Sequence, residues 1–221
     1  YQVLHGDTET SAPWDALDEY LQRRFPHACG ATLGITATAV DAGYRTQTVY
    51  DWCRPRTHRH IFPVRGQSQA GKRVLGTPTE QDIDHRGKKI ARGVKLWPIG
   101  TDTAKTEIYA RLKIEQAGPG CMHFPLGLPD EYYRGLVAER LVTRYVKGYL
   151  RTFWEKSETE RNEPLDLEVY AYAAALYAGL TRINWDRLEA SLKMTAQDLF
   201  VQAANHTPEK PVPDSAPDTA Q

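Results

Sequence analysis

The stretch ATLGITATAVDAGY, residues 31–44, combines small and β-branched apolar residues with a carboxylate near its end, Asp41. This pattern is typical of a buried β-strand. TQTVYDWC (46–53) then predicts a helix that stops near Pro55, and HIFPVRG (60–66) predicts the next strand. Because strands alternate with helices, the sequence predicts an α/β sheet with helices on both faces.

The remaining segments extend this pattern. Helices are predicted over 11–25, 102–114 (capped by Asp102 or Thr103), 130–141 and 165–180 (beginning near Asp166). Strands are predicted over 1–7 and 93–102, a hairpin over 142–156 that turns at Lys147–Gly148, a basic loop over 66–93, and an extended, turn-rich segment over 118–129. One compact domain, 1–205, and a Pro-rich disordered tail, 206–221, are the simplest division.

Composition excludes several classes of protein. The 221 residues carry 28 basic and 28 acidic side chains, so net charge indicates no partner. Residues 51–95, however, hold 11 Lys and Arg against 4 Asp and Glu, which suits either a solvated face or a polyanion. Three scattered cysteines indicate neither a zinc ribbon nor a disulfide framework. No apolar run approaches the roughly 20 residues that a membrane span needs.

The segment 66–72 matches GxxxxGK, the pattern of a phosphate-binding loop, through Gly66, Gly71 and Lys72. A working loop needs a Ser or Thr after the Lys to hold magnesium, and it must open a helix. Arg73 stands at the hydroxyl position, and Gly76 and Pro78 disfavour a helix directly after it. We therefore predict a basic loop and not a nucleotide site.

Two carboxylates are the best candidates for chemistry. Asp41 ends a predicted strand, where α/β folds place functional groups, and Asp166 opens a predicted helix. Each has a structural alternative, since Asp41 suits a helix cap and Asp166 suits the helix dipole. Facing each other, they would suit divalent metals for phosphodiester hydrolysis. His123 is a weaker candidate, and the spacing of Cys53, His58 and His60 matches no standard zinc site.

Five segments occur in an order that resembles the C-terminal nuclease domain of lambda-type phage terminase large subunits. The resemblance runs from Tyr1 to about Leu180. The segments are AVDAGYRTQTVYDWCR (39–54), FPVRGQSQAGK (62–72), IGTDTAKTEIYARL (99–112), GPGCMHFP (118–125) and RNEPLDLEVYAYAA (161–174).

This resemblance implies an RNase H-like mixed sheet flanked by helices, and a two-metal-dependent endonuclease that cuts concatemeric viral DNA during packaging. The cofactor is expected to be Mg²⁺ or Mn²⁺. Asp41 and Asp166 fall on the family's metal-binding and catalytic aspartates. Possible supporting residues are His123, Glu163 and Lys105, and the expected DNA-binding residues are Arg65, Lys72, Arg73, Lys88 and Lys89.

The expected partners are double-stranded DNA, the terminase small subunit, the portal of the procapsid and a packaging ATPase domain upstream in the intact protein. No membrane is expected, and the host cytoplasm is the expected location.

The sequence departs from the family pattern in two places that matter. The family's first acidic residue lies on an opening strand. We expect this chain to begin at Tyr1 just after it, so that this ligand and the upstream ATPase are missing. The alternative function is therefore a non-catalytic module for DNA binding or portal docking. A third option is a nuclease of another metal-dependent fold built on Asp102 and Lys105, although TDTAK (101–105) is more typical of a helix start.

Overall fold

A computed structural model describes the chain over residues 1–83 and 89–197. The helices are α1 (Ala12–Tyr20), α2 (Thr46–Cys53), α3 (Thr101–Leu112), α4 (Asp130–Leu136), α5 (Glu163–Tyr177) and α6 (Trp185–Gln197). The strands are β1 (Arg24–Pro26), β2 (Thr32–Gly34), β3 (Thr38–Asp41), β4 (Ile61–Gln67), β5 (Thr79–Ile83), β6 (Lys89–Gly100), β7 (Glu139–Val146) and β8 (Tyr149–Lys156).

A mixed four-stranded sheet forms the centre of the larger unit, in the order β3-β4-β6-β5. Strands β3, β4 and β6 are parallel, and β5 runs antiparallel to β6. The register of β3 places Asp41 opposite Val64 of β4. Residues 61–64 of β4 are buried, as expected for a central strand covered on both faces. The prediction of an α/β fold with a mixed sheet flanked by helices is confirmed.

Helix α5 is held in place by one apolar stripe. Leu165, Val169 and Ala173 recur every four residues and are fully buried, in one cluster with Phe62 and Val64 of the sheet. This spacing puts the three side chains on one face of a helix. Because Leu165 is locked in the core, the residue that follows it, Asp166, is fixed at the rim of this packed face.

The chain divides into two compact units. Unit 1 comprises residues 1–23 and 35–182, and it contains the mixed sheet and helices α1 to α5. Among the described residues, unit 2 comprises 24–34 and 183–197. In unit 2, β1 and β2 form an antiparallel pair, and α6 is the helix. The expected single domain 1–205 stays a prediction, and the predicted tail 206–221 lies outside the described residues.

Two predicted segments have a different structure. The segment 31–44 is not one buried strand: it forms β2 and β3, which belong to different sheets, and β3 is only half-buried because it lies at the sheet edge. The expected loop 66–93 is wrong in part: residues 68–78 lie outside the helices and strands, 84–88 lie outside the described residues, and strands occupy the rest. β4 continues to Gln67, and β5 pairs with the extended β6. Polar composition concealed β5 and the first four residues of β6, which gain stability from strand pairing, while the strand predicted over 93–102 covers the rest of β6.

Three smaller boundaries also differ. The helix predicted over 130–141 ends at Leu136, because Glu139 begins a strand instead, and 1–7 contains no strand. Helix α5 starts at Glu163, three residues before Asp166. The hairpin is confirmed, with Lys147 and Gly148 at its turn and φ values of 50° and 80°. None of the helices described is long and apolar enough to cross a membrane.

Candidate functional site

Asp41 stands at the last position of β3, where its side chain is exposed. The backbone N–H of Gly43 donates to Asp41 Oδ1 at 2.9 Å, which fixes that oxygen, and the Tyr170 hydroxyl interacts with the same carboxylate. The N-cap of α2 is Arg45, so the alternative in which Asp41 caps that helix is wrong. The Asp41 carboxylate therefore does not cap α2.

Asp166 lies in the first turn of α5 and is held from two sides. The side-chain amide of Asn162 donates to Asp166 Oδ2 at 3.1 Å. The ammonium of Lys105 lies 3.8 Å from Oδ1. Asn162 is the N-cap residue of α5, and the backbone N–H of Asp166 donates to its carbonyl at 3.1 Å. The start of the helix thus sets the position of the carboxylate.

A buried ion pair lies behind Asp166. Lys105 Nζ donates to both oxygens of Glu139, at 2.7 and 2.9 Å, and the two residues are only 9% and 6% exposed. Asn162 Nδ2 also donates to Glu139 Oε1 at 2.7 Å, so one amide joins Glu139 to Asp166. Tyr109 donates its hydroxyl to the backbone carbonyl of Glu139 at 2.5 Å. The result is a connected polar network beneath the site.

Opposing effects act on the pKa of the Asp166 carboxyl. Burial raises the pKa of the Asp166 carboxyl, and the charges of Glu139, Asp41 and Glu163 raise it further, while the Lys105 ammonium lowers it. The net direction is upward. Burial also raises the pKa of the Tyr170 hydroxyl, with added effects from the charges of Asp41 and Asp166. Asp41 and Asp166 therefore lie close enough to influence each other and a shared neighbour.

Asp41 and Asp166 line one open cavity of about 1200 Å³ in unit 1. Its lining is acidic, because five carboxylates face two guanidinium groups there. The carboxylates are Asp41, Glu131, Glu160, Glu163 and Asp166, and the guanidinium groups are Arg134 and Arg161. Such a lining repels a polyanion, and cations would offset the repulsion.

The other expected supporting residues lie in different surroundings. Glu163 lines the cavity, and Lys105 lies buried behind it. His123 is exposed and is not among the residues that line the cavity, while its neighbours Met122 and Phe124 pack on the core.

The expected DNA-binding residues are spread along the basic segment. Arg65 is exposed and donates to Ala42 O at 3.1 Å and Thr46 Oγ1 at 3.0 Å, directly after Asp41. Lys72 and Arg73 are exposed, and the chain beyond them leads to β5, so the prediction that no helix follows GxxxxGK is confirmed. Lys88 and the side chain of Lys89 lie outside the described residues.

The carboxylates fit a hard cation. Within residues 1–83 and 89–197, no group of three or more His, Cys, Asp and Glu side chains is placed to hold a metal ion. Mg²⁺, however, is often bound by one or two carboxylates, with waters and substrate phosphates as its other ligands. Asp41 and Asp166 offer such oxygen donors on one cavity.

Sequence reasoning missed several residues of the site. Glu139 was placed in a predicted helix, and its partner Lys105 is 34 residues away. Asn162 and Tyr170 stood inside a recognised motif, RNEPLDLEVYAYAA, but their roles depend on contacts that only the fold creates. The one available signal was Asn162, a residue type that favours the N-cap position, two residues before Pro164, which favours the first turn of a helix.

The sequence matches one protein family, described as "Terminase large subunit gpA, endonuclease domain", over residues 1–185. It is also similar to two curated proteins named "Terminase, large subunit". The protein of Escherichia phage lambda is 30% identical over 97% of this chain and 32% of its own length. The protein of Enterobacteria phage P21 is 33% identical over 88% of this chain and 29% of its own length.

The chain spans about a third of the length of these relatives. No solved structure matches it.

Proposed function

The chain belongs to the family of terminase large subunit gpA endonuclease domains, and from this premise we propose that it cuts double-stranded viral DNA using a divalent metal ion. One observation carries the proposal: Asp41 and Asp166, 125 positions apart in sequence, line the same open cavity. The substrate would be concatemeric viral DNA during genome packaging. We also propose that the mixed sheet and its flanking helices form an RNase H-like fold.

Asp41 and Asp166 would hold Mg²⁺ or Mn²⁺, which when bound lowers the pKa of an attacking water and neutralises charge on the scissile phosphate. The chain's own groups orient the two carboxylates. Gly43 N–H fixes Asp41 Oδ1, and the Asn162 amide fixes Asp166 Oδ2. Holding one oxygen of each carboxylate reduces the rotation that binding would otherwise have to stop.

Lys105 keeps Asp166 ready to bind a cation. Burial and three neighbouring carboxylates favour the protonated form of Asp166, which is a poor ligand. The Lys105 ammonium, 3.8 Å away, favours the ionised form. Lys105 is thus a positioning residue that acts through Asp166, while its closer contact with Glu139 keeps the ammonium in place.

The acidic lining supports dependence on a metal. Five carboxylates against two guanidinium groups repel a phosphodiester backbone. Arg134 and Arg161 are the lining groups that suit phosphate oxygens, because a guanidinium binds them through two parallel hydrogen bonds. We propose that cations offset the remaining negative charge and that these two arginines orient the strand.

The family premise extends to partners. We propose that the terminase small subunit, the portal of the procapsid and a packaging ATPase work with this domain in the host cytoplasm. These assignments rest on the similarity to the lambda and P21 proteins and not on a surface of this chain.

A second candidate function is a non-catalytic module that binds DNA or docks on the portal. The observation that favours it is that only two carboxylates, Asp41 and Asp166, are proposed as metal ligands. No group of three or more potential metal ligands occurs in the described residues. Cleavage separates the two candidates, because a binding module would hold DNA without cutting it.

The test is nicking of supercoiled plasmid in Mn²⁺ by a protein of the relatives' full length that carries this domain. Asp166→Asn is expected to abolish nicking, because Asn keeps the size of the side chain but removes the charge that holds a cation. Asp102→Asn is the matched control, because Asp102 lies on α3 outside this cavity and accepts a hydrogen bond from Ser68 that Asn can also accept.

Normal nicking by a folded Asp166→Asn protein would refute the catalytic assignment. Loss of nicking in Asp102→Asn, with Asp166→Asn unaffected, would favour the option built on Asp102 and Lys105. DNA binding without nicking by the unsubstituted protein would favour the binding module.

A further inference from the structure

We propose that the hairpin β7–β8, residues 139–156 and hereafter the ribbon, binds the phosphate backbone of the DNA held at the cavity. This inference rests on the proposed function, because it takes double-stranded DNA as the substrate. It adds an interaction surface formed by residues outside the basic segment 51–95. Four features of the ribbon support it: its anchoring, its projection, its charge and its dimensions.

The base of the ribbon is anchored at the site. Glu139, the first residue of β7, is the buried partner of Lys105. Trp154 of β8 donates its indole N–H to Asp102 O at 3.3 Å, and its ring lies 4.7 Å from that of Tyr109 on α3. The residues that follow β8, 159–161, line the cavity itself. The position of the ribbon base is therefore tied to the position of the carboxylates.

Beyond this base the ribbon projects. In the part of the chain that the structure describes, β7 and β8 form a separate two-stranded sheet, paired only with each other. The tip carries large side chains that are exposed: Tyr145, Tyr149 and Leu150 are 76%, 72% and 62% accessible. An isolated two-stranded hairpin is marginally stable in water, so this arrangement is poorly explained by folding alone.

The charges of the ribbon are one-sided. Its two carboxylates are already engaged, Glu139 with Lys105 and Glu155 with Arg144. Its five basic residues are exposed, and they are Arg140, Arg144, Lys147, Arg151 and Lys156.

One pair conflicts with the stability of the ribbon. Arg144 and Arg151 stand directly opposite each other, on the same face of the hairpin. Like charges in this position destabilise a sheet, and the contact with Glu155 offsets the charge of Arg144 but not that of Arg151. A local conflict of this kind is expected where a ligand resolves it, and a row of phosphates would do so.

The dimensions also fit a duplex. Each strand has eight residues, which at ~3.3 Å per residue is about 26 Å long. The major groove of B-DNA admits a two-stranded β-ribbon, and arginines along such a ribbon reach phosphates on either side. A protein partner is the other conceivable occupant, but the excess of exposed arginine and lysine matches a polyanion.

The test compares DNA affinity of the full chain with that of Arg144→Gln/Arg151→Gln, using a short random-sequence duplex in EDTA. The double variant is expected to bind about tenfold more weakly, and its plot of log affinity against log salt should be shallower by about 1.8, at ~0.9 for each lost phosphate contact. Arg23→Gln/Lys113→Gln, which removes two exposed charges elsewhere, is the matched control and should keep the original slope.

A second variant removes the outer part of the ribbon. Residues 143–152 are replaced by Asn-Gly, which joins Val142 to its cross-strand partner Phe153 through a tight turn. It should show at least the same loss of affinity. The Arg144→Gln/Arg151→Gln variant should melt close to the parent chain, since relief of the like-charge pair offsets the loss of the exposed contact between Arg144 and Glu155.

Affinity and salt slope equal to those of the control in both variants would overturn the inference, whether the ribbon then faces solvent or a protein. The readout needs no cleavage. If Asp166→Asn still nicks DNA, the proposed function fails while the ribbon result stands. If the ribbon variants bind DNA like the control, the inference about the ribbon fails while the proposed function stands.

Discussion

The two ends of strand β7 present the same kind of ion pair in opposite surroundings. At its start, Glu139 is 6% exposed and pairs with Lys105 inside the network beneath the cavity. Five residues later, Arg144 is more than half exposed and pairs with Glu155 on the ribbon. Both pairs are in close contact, yet breaking the buried pair is expected to lower the free energy of unfolding far more than breaking the exposed one.

The difference teaches that enclosure, and not distance, decides the importance of a charge pair here. Removing one partner of a buried pair leaves a charge that water cannot reach. Removing one partner at the surface lets water and salt take its place. The buried pair can therefore hold Asp166 in position, while the surface charges of the ribbon stay available to a ligand.

The largest expected effect comes from Lys105→Met, which leaves the buried Glu139 carboxylate without its cationic partner. We expect the free energy of unfolding at pH 7 to fall by about 3–5 kcal/mol, the range for breaking a buried ion pair. Urea denaturation measures it. The matched control is Lys105→Met/Glu139→Gln, in which the buried charge is gone and the Gln side chain can still accept from Asn162.

The double variant should recover most of the lost stability. A Lys105→Met chain as stable as the parent would show that water reaches the Glu139 carboxylate, and the contrast between the two ends of β7 would not hold.

An effect of intermediate size is expected at Asp166. Burial, followed by the charges of Glu139, Asp41 and Glu163, raises the pKa of its carboxyl in the folded chain despite Lys105. A carboxyl with a raised pKa binds its proton more tightly when folded, so it stabilises the fold at low pH. This contribution is lost as the pH rises from the unfolded value, about 3.9, through the folded pKa.

Asp166→Asn should therefore melt at the same temperature as the parent or higher at pH 7, and this advantage should shrink towards pH 4. Thermal unfolding across this range checks it, with Glu131→Gln as the control for losing one negative charge from the cavity lining. An advantage that does not change with pH would contradict the raised pKa.

The smallest effects are expected on the ribbon. Glu155→Gln breaks the exposed contact with Arg144 and should lower the free energy of unfolding by at most about 1 kcal/mol. Arg151→Thr removes the like charge opposite Arg144 and should raise it by about 0.2–1 kcal/mol. Urea denaturation at low and high salt measures both. A loss of several kcal/mol in Glu155→Gln would mean that the ribbon is enclosed.

Much of the fold was predictable because the signals were local. The apolar run at 61–64, the Ala-rich stripe of α5 and the turn at Lys147–Gly148 each depend on residues close in sequence, and all three are confirmed. Strand β6 was predicted from residue 93 onward, whereas β5 and the first four residues of β6 were missed because they are polar and gain stability from pairing.

The candidate site was predictable only in part for the same reason. Asp41 and Asp166 could be selected because each follows or opens an apolar element. Glu139 could not, since nothing near it in sequence distinguishes a buried glutamate from a solvated one. Only the fold brings Lys105 and Asn162 to it.

Manganese binding by the full chain tests most directly whether Asp41 and Asp166 share one cation. Free Mn²⁺ is followed by electron paramagnetic resonance during titration of the parent, Asp41→Asn, Asp166→Asn, the double variant and the control Glu131→Gln. We predict that each single aspartate variant loses most of the binding, that the double variant loses no more than either, and that the control keeps it. Equal binding by the parent and the double variant would contradict the account.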